Sequence, residues 1–89
     1  MFVASDLMAL EAMAVLRESG RRIPEDVAVV GFDDSSAAVM ADPPLTTIHQ
    51  SFEAAATEAV RMLNDLIAAP RSGPRHILMP TRLVRRGSA

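Results

Sequence analysis

Apolar and polar positions at the start of the chain predict a short strand followed by a helix. Residues 2–4 form a brief apolar segment, and Ser5 and Asp6, both favourable helix caps, come next. Residues 7–19 contain no Gly or Pro, and Gly20 follows them. Since glycine is common directly after a helix, we expect this helix to end at that point.

Two further apolar runs predict strands. Residues 27–32 are apolar and rich in valine, and the run is too short for a typical helix. Such runs are typical of strands covered on both faces, as in parallel sheets. Residues 45–50 form a second extended run. The polar and Ala-rich stretch between the two runs, closed by Asp42, Pro43 and Pro44, predicts a short helix or turn.

The clearest amphipathic helix lies in the second half of the chain. Ser51 can cap a helix from Phe52 to about Ala69, which Pro70 and Gly73 would stop. Its apolar positions form one stripe, which comprises Phe52, Ala56, Ala59, Val60, Leu63, Leu66 and Ile67. The tail, residues 75–86, predicts one or two short strands, with an edge or a bend at Pro80.

The alternation of strands and helices predicts an α/β fold with a parallel sheet. In open sheets of this kind the ligand crevice lies beyond the carboxyl ends of the strands. Ser5 and Asp6 follow the first strand, and Asp33 and Asp34 follow the second, so we expect both pairs at that edge. Asp34 is the expected cap of the next helix and Asp33 the expected ligand contact, while capping is favoured for the first pair.

The first helix is apolar in every direction. Between Leu7 and Leu16 only Glu11 is polar, and a single sheet can cover only one face. The pattern therefore predicts a second surface against the far side of the helix, and in so short a chain we expect another chain to provide it. The alternative is that the small alanines of this helix lie exposed without consequence.

Composition and charge exclude several classes of function. The chain has 89 residues, 49% of them hydrophobic and 22% charged, which is typical of one small globular unit. Its net charge of −2 and pI near 5.5 argue against direct binding to a phosphate backbone. No apolar run reaches the roughly 18 residues that a membrane span needs. The chain has no cysteine and so cannot form a disulfide. We expect a soluble, cytoplasmic protein.

Enzymatic and metal sites have little support. Ser35 or Ser36 could join His49 and Asp33 in a catalytic set, but neither a nucleophile elbow nor a cofactor-binding glycine loop is present. A metal site from Asp6, Asp33, Asp34 and His49 lacks a recognised ligand spacing. We therefore expect neither an enzyme nor a cofactor.

Four segments of the chain resemble the lactose/galactose repressor (LacI/GalR) family. They are residues 4–10 (ASDLMAL), 23–34 (IPEDVAVVGFDD), 43–50 (PPLTTIHQ) and 80–86 (PTRLVRR). The resemblance implies the C-terminal end of a regulator whose effector domain has the type I periplasmic-binding-protein-like fold. Residues 1–50 and 75–89 would form part of the C-terminal subdomain, and residues 51–74 a helix that packs in the N-terminal subdomain. The helix-turn-helix that binds DNA would lie outside this chain.

The resemblance also implies roles for individual residues. Asp33 would bind a small effector, a sugar or a nucleobase, Ser5 would line the same cleft, Asp6 would lie beside it, and Phe52 would be an aromatic neighbour of the ligand. Three positions depart from the residues usual in the family, namely Ser5, Glu11 and Ser51. The identity of the effector therefore cannot be inferred from any one family member. The implied dimer interface comprises Leu7, Leu10, Met13, Ala14 and Met40.

The function implied is the effector-sensing and dimerisation module of a repressor, without catalysis. The N-terminal subdomain against which residues 51–74 would pack is mostly outside this chain, so the apolar face of this helix would be exposed. We therefore expect a homodimer or a domain-swapped oligomer. DNA would be bound only through the missing domain, and no membrane is involved. The alternatives are a sugar-binding transport receptor and, with least support, a small enzyme that uses Asp33 and His49.

Overall fold

The structure, a computed structural model, describes residues 1–71 and 73–89. These residues form two compact units. The first unit comprises Met1–Gln50 and Thr81–Ala89, and the second comprises Ser51–Pro80. Residues 75–80 lie in the second unit, and the predicted boundary between subdomains stays a prediction.

Three helices and two short strands form the regular structure of the described residues. The elements are α1 (Asp6–Glu18), α2 (Ser36–Met40), β1 (Thr47–His49), α3 (Phe52–Ala68) and β2 (Arg82–Val84). Within the described ranges, none of the helices is long and apolar enough to cross a membrane.

The sheet of the first unit is mixed. Parallel bridges join Phe2 to Val30, Val30 to Thr46 and Asp33 to His49. The first two predicted strands are thus extended segments joined by single bridges, and their predicted parallel arrangement is confirmed. β2 pairs with β1 in the antiparallel sense and supplies the edge strand that the tail predicted.

The core of the first unit lies between α1 and the sheet. Ala9 and Met13 on the inner face of α1 are wholly buried, and the sheet side contributes Val29 and Leu45. The assignment of Met13 to a dimer interface is therefore wrong. Its side chain has no exposed surface, because the spacing of four residues places it on the same face as Ala9, towards the sheet.

The opposite face of α1 is exposed in the single chain. Leu7, Met8 and Val15 are 69%, 61% and 60% exposed, and Met40 on α2 is 83% exposed. Leu10 and Ala14 flank this face and are half-buried. α2 packs against α1. Five exposed apolar side chains of these two helices form a surface that we call the α1/α2 apolar face. They are Leu7, Met8, Val15, Val39 and Met40.

The second unit is built on α3, whose apolar stripe is mostly exposed. The Ser51 side chain accepts a hydrogen bond from the amide of Ala54 at 3.1 Å, so the predicted cap is confirmed. No side chain of α3 is buried. Phe52, Val60 and Ile67 are all more than half exposed. The helix has apolar surface that its own unit does not cover.

Candidate functional site

The ends of the parallel segments meet at one edge of the sheet in the first unit. The amide of Asp33 donates to the carbonyl of Ile48 at 2.9 Å, and the amide of Asp6 donates to the carbonyl of Phe32 at 3.0 Å. These backbone bonds place the residues that follow each segment side by side. The edge is the one at which open parallel sheets bind ligands.

Asp33 presents a partly satisfied carboxylate at this edge. The residue is half-buried and has a φ of 118°. Its Oδ1 accepts a hydrogen bond from Gln50 Nε2 at 3.2 Å. Among the described residues, none donates to the second carboxylate oxygen, so Asp33 can accept hydrogen bonds from a ligand.

Asp34 is held between a histidine and an arginine. His49 Nδ1 lies 2.9 Å from Asp34 Oδ2, and Arg86 Nη2 donates to Asp34 Oδ1 at 2.8 Å. Asp34 does not cap α2, so its predicted role is wrong. The prediction failed because both partners come from other segments of the chain, Arg86 from 52 positions away.

The Arg86 guanidinium, with a further contribution from the His49 hydrogen bond, lowers the pKa of Asp34 below its usual value. A lowered carboxyl pKa stabilises the fold above the unfolded value of about 3.9, and this contribution is lost as pH falls through the lower folded value.

Replacing Asp34 by Asn is accordingly expected to lower the free energy of unfolding at pH 7, by roughly 1–3 kcal/mol, because a charged hydrogen-bond acceptor is lost. The difference from the parent chain should shrink as pH falls below about 4, since Asp34 then takes up a proton in the unfolded chain more readily than in the folded chain, and it should vanish only below the lowered pKa of folded Asp34. Urea unfolding followed by circular dichroism between pH 7 and 3 measures it. The exposed Asp42→Asn is the matched control. A difference that is independent of pH would contradict the assignment.

Asp6 is a structural residue. It is 1% exposed, and its carboxylate accepts hydrogen bonds from the amide of Ser35 at 2.7 Å, the hydroxyl of Ser35 at 3.1 Å and the hydroxyl of Thr47 at 2.7 Å. Both carboxylate oxygens are therefore used within the unit. The Asp6 side chain joins α1 to the starts of α2 and β1, and its predicted place beside the ligand cleft stays a prediction.

Ser5 caps α1, as the sequence favoured. Its hydroxyl oxygen accepts a hydrogen bond from the amide of Met8 at 3.2 Å, and the residue is half-buried. The hydroxyl hydrogen is not used by that bond. A ligand contact by Ser5 remains a prediction.

Phe52, the remaining predicted ligand residue, belongs to the second unit. It is the first residue of α3 and is 59% exposed. Its exposed ring is consistent with contact to a ligand or to another protein segment, and its role remains a prediction.

The side chains considered for catalysis are not arranged as a catalytic set. His49 faces Asp34 rather than Asp33, and the hydroxyl of Ser35 donates to Asp6. Residues 1–71 and 73–89 also contain no group of three or more His, Cys, Asp or Glu side chains that could hold a metal ion.

Three residues of this edge were missed by sequence reasoning, namely Gln50, Thr47 and Arg86. Gln50 orients Asp33, while Thr47 donates to Asp6 and accepts a 3.4 Å hydrogen bond from the amide of Asp34. The only signal in the sequence was the position of Thr47 and Gln50 near the end of a predicted strand. Arg86 offered no local signal.

Comparison with known proteins identifies the family. Residues 1–89 match the family described as periplasmic binding protein-like domain. The HTH-type transcriptional regulator CelR of Thermobifida fusca is 49% identical over 87 residues, which are 98% of this chain and 26% of that protein. The HTH-type transcriptional regulator MalR of Streptomyces coelicolor is 41% identical over 87 residues, or 97% of this chain and 25% of that protein. The chain thus spans about a quarter of the length of these curated relatives.

Solved structures agree with this result. A CelR–cellobiose complex superposes with a TM-score of 0.90 at 49% identity and covers 99% of this chain and 27% of that one. The lac repressor dimer bound to operator and the anti-inducer ONPF gives 0.86 at 39% identity, with 99% and 26% covered. The chain therefore belongs to the periplasmic-binding-protein-like family, in the form found in the effector domains of LacI-type transcriptional regulators.

Proposed function

We propose that the chain is part of the effector-sensing and dimerisation module of a transcriptional repressor, which binds a small ligand and controls DNA binding allosterically. The observation that carries the proposal is the Asp33 carboxylate, fixed at the ligand edge of the sheet with one oxygen free of partners among the described residues. The relatives are transcriptional regulators, which favours a repressor over a transport receptor or an enzyme.

A sugar is the effector class that we favour. One similar structure contains cellobiose, and a LacI family regulator from Enterococcus faecium, 30% identical with a TM-score of 0.80, contains ribose. Adjacent sugar hydroxyls suit a carboxylate, which offers several acceptor positions. We propose that Asp33 accepts these hydroxyls and that Ser5 donates its hydroxyl hydrogen.

We further propose that the α1/α2 apolar face forms a homodimer. This surface is too apolar and too exposed for a chain that functions alone. The proposed mechanism is a population shift, in which the ligand favours one arrangement of the dimer and so changes the spacing of two DNA-binding domains outside this chain. The same dimer would bind DNA only through those domains.

A chimera tests the ligand proposal. The 89 residues replace the aligned region of Thermobifida fusca CelR, and a panel that includes cellobiose and ribose is titrated by calorimetry. We expect the chimera to bind at least one sugar of the panel. A folded chimera that binds none would contradict the proposed effector class.

The variant Asp33→Ala is expected to weaken that binding about 100-fold or more. A hydrogen bond to a charged group contributes roughly 1.5–3 kcal/mol, and the carboxylate can hold two hydroxyls. Calorimetry of the chimera measures the loss. Asp42→Ala, which removes an exposed carboxylate of the same unit, should leave the affinity unchanged. Unaltered affinity in Asp33→Ala would remove Asp33 from the site.

A further inference from the structure

We propose that Arg86 and His49 are positioning residues for the ligand site: they clamp the carboxylate of Asp34 and so hold Asp33 in the backbone conformation that presents its carboxylate. The inference rests on the proposed function, because it assigns the clamp to the residue that we place against the ligand. It adds a role for the C-terminal segment, which contributes no residue to the predicted site.

The backbone at Asp33 and Asp34 needs support from outside. Their φ values are 118° and 58°, which are both in the positive region that favours glycine. A non-glycine residue held in such a region is strained, and the conformation persists only where surrounding contacts fix it. Two consecutive residues of this kind, directly at the ligand edge, imply a dedicated set of contacts.

The clamp on Asp34 supplies those contacts from two directions. His49 at the end of β1 approaches Oδ2 at 2.9 Å, and Arg86 beyond β2 donates to Oδ1 at 2.8 Å. Hydrogen bonds to both carboxylate oxygens restrict the rotation of the Asp34 side chain and, through it, the backbone at Asp34. The side chains of Asp34 and Arg86 are only 14% and 20% exposed, so water competes weakly for these bonds.

Arg86 is itself anchored to the sheet. Its amide donates to Thr46 Oγ1 at 2.8 Å, and its second guanidinium nitrogen donates to the carbonyl of Leu45 at 3.0 Å. The guanidinium therefore joins the backbone carbonyl of Leu45 to the carboxylate of Asp34. The single ammonium group of a lysine cannot reproduce this pair of hydrogen bonds. Asp33 is meanwhile held to Ile48 through its amide and to Gln50 through its Oδ1.

The first experiment uses the 89-residue chain without a ligand. A positive φ brings the amide hydrogen of a residue close to its own Hα, and the resulting nuclear Overhauser effect is strong. We expect strong effects at Asp33 and Asp34 in the parent chain and a loss of at least half their intensity in Arg86→Gln. The matched control is Arg85→Gln, the exposed neighbour in the same segment, which should leave both intensities unchanged. Unchanged intensities in a folded Arg86→Gln would overturn the proposal.

A second pair of variants keeps the proposal testable if Arg86→Gln does not fold. The His49 side chain is 39% exposed, so His49→Ala is expected to fold. It should weaken the same effects at Asp33 and Asp34, whereas His49→Asn, whose amide can still donate to the carboxylate, should restore them. If His49→Ala behaves as the parent chain does, or if His49→Asn is no better than His49→Ala, the clamp does not act through this hydrogen bond.

The affinity of the CelR chimera for the tightest-binding sugar of the panel distinguishes the role of Arg86 from that of Asp33. We expect Arg86→Gln to weaken binding about 10-fold, Arg86→Lys to recover part of the loss and Arg85→Gln to change nothing. Loss of binding in Asp33→Ala together with full affinity in Arg86→Gln would overturn the positioning role and leave the proposed function intact. Full affinity in Asp33→Ala would instead overturn the proposed site.

Discussion

Replacing Gly31 by alanine is expected to destabilise the first unit by about 4 kcal/mol. A Cβ at this position would lie 2.5 Å from Asp6 Oδ1 and 2.8 Å from Leu45 Cδ2. Overpacking of a core costs roughly 1–3 kcal/mol. Displacement of the Asp6 carboxylate would add the loss of a charged hydrogen bond, roughly 1.5–3 kcal/mol, because Oδ1 accepts from Thr47.

Such a loss is a large part of the stability of a small domain, which is roughly 5–15 kcal/mol. Urea unfolding followed by circular dichroism is the measurement. Gly20→Ala is the matched control, since its Cβ would meet nothing within 4 Å although its φ is positive at 79°. We expect the control to lose only about 1 kcal/mol.

The double variant Gly31→Ala with Asp6→Ala identifies the clashing group. If the methyl group acts through the Asp6 carboxylate, the two losses should be clearly less than additive. Strict additivity, or a Gly31→Ala variant as stable as Gly20→Ala, would contradict the close approach seen in the structure.

Replacing Leu7 by arginine is expected to weaken self-association of the chain by about 100-fold or more. Leu7 is 69% exposed at the N-terminal end of α1 and belongs to the α1/α2 apolar face. A charge placed in an apolar interface without a partner costs several kcal/mol, and each 1.4 kcal/mol changes the affinity tenfold. Sedimentation velocity over a range of concentrations measures the effect.

Two further substitutions make this result specific. Thr81→Arg adds the same charge at an exposed position outside both helices and should associate as the parent chain does. Leu63→Arg places it on the exposed stripe of α3, which the domain-swapped alternative would bury. If only Leu63→Arg dissociates the protein, association runs through α3. A parent chain that is monomeric at high concentration would contradict both surfaces.

Local signals in the sequence predicted the elements closely. α1 was expected over residues 7–19 and lies at Asp6–Glu18, and α3 was expected to begin after Ser51 and begins at Phe52. These boundaries depend on caps and breakers within one turn of the helix, so they can be predicted without knowledge of the rest of the fold.

The roles of the polar side chains could not be predicted in the same way. Asp6 finds its partners 29 and 41 positions away, and Asp34 finds Arg86 at a separation of 52. Whether a carboxylate at a strand end faces a ligand, a cap or an arginine depends on which distant segment reaches it. Met13 is a similar case, because the pattern of an all-apolar helix does not reveal which of its faces meets the sheet.

A crystal structure of the CelR chimera bound to the tightest-binding sugar of the panel would show whether Asp33 contacts the effector. We expect a carboxylate oxygen of Asp33 within hydrogen-bond distance of a sugar hydroxyl, about 2.5–3.0 Å. A fully occupied sugar whose polar atoms all lie beyond reach of Asp33 would contradict it.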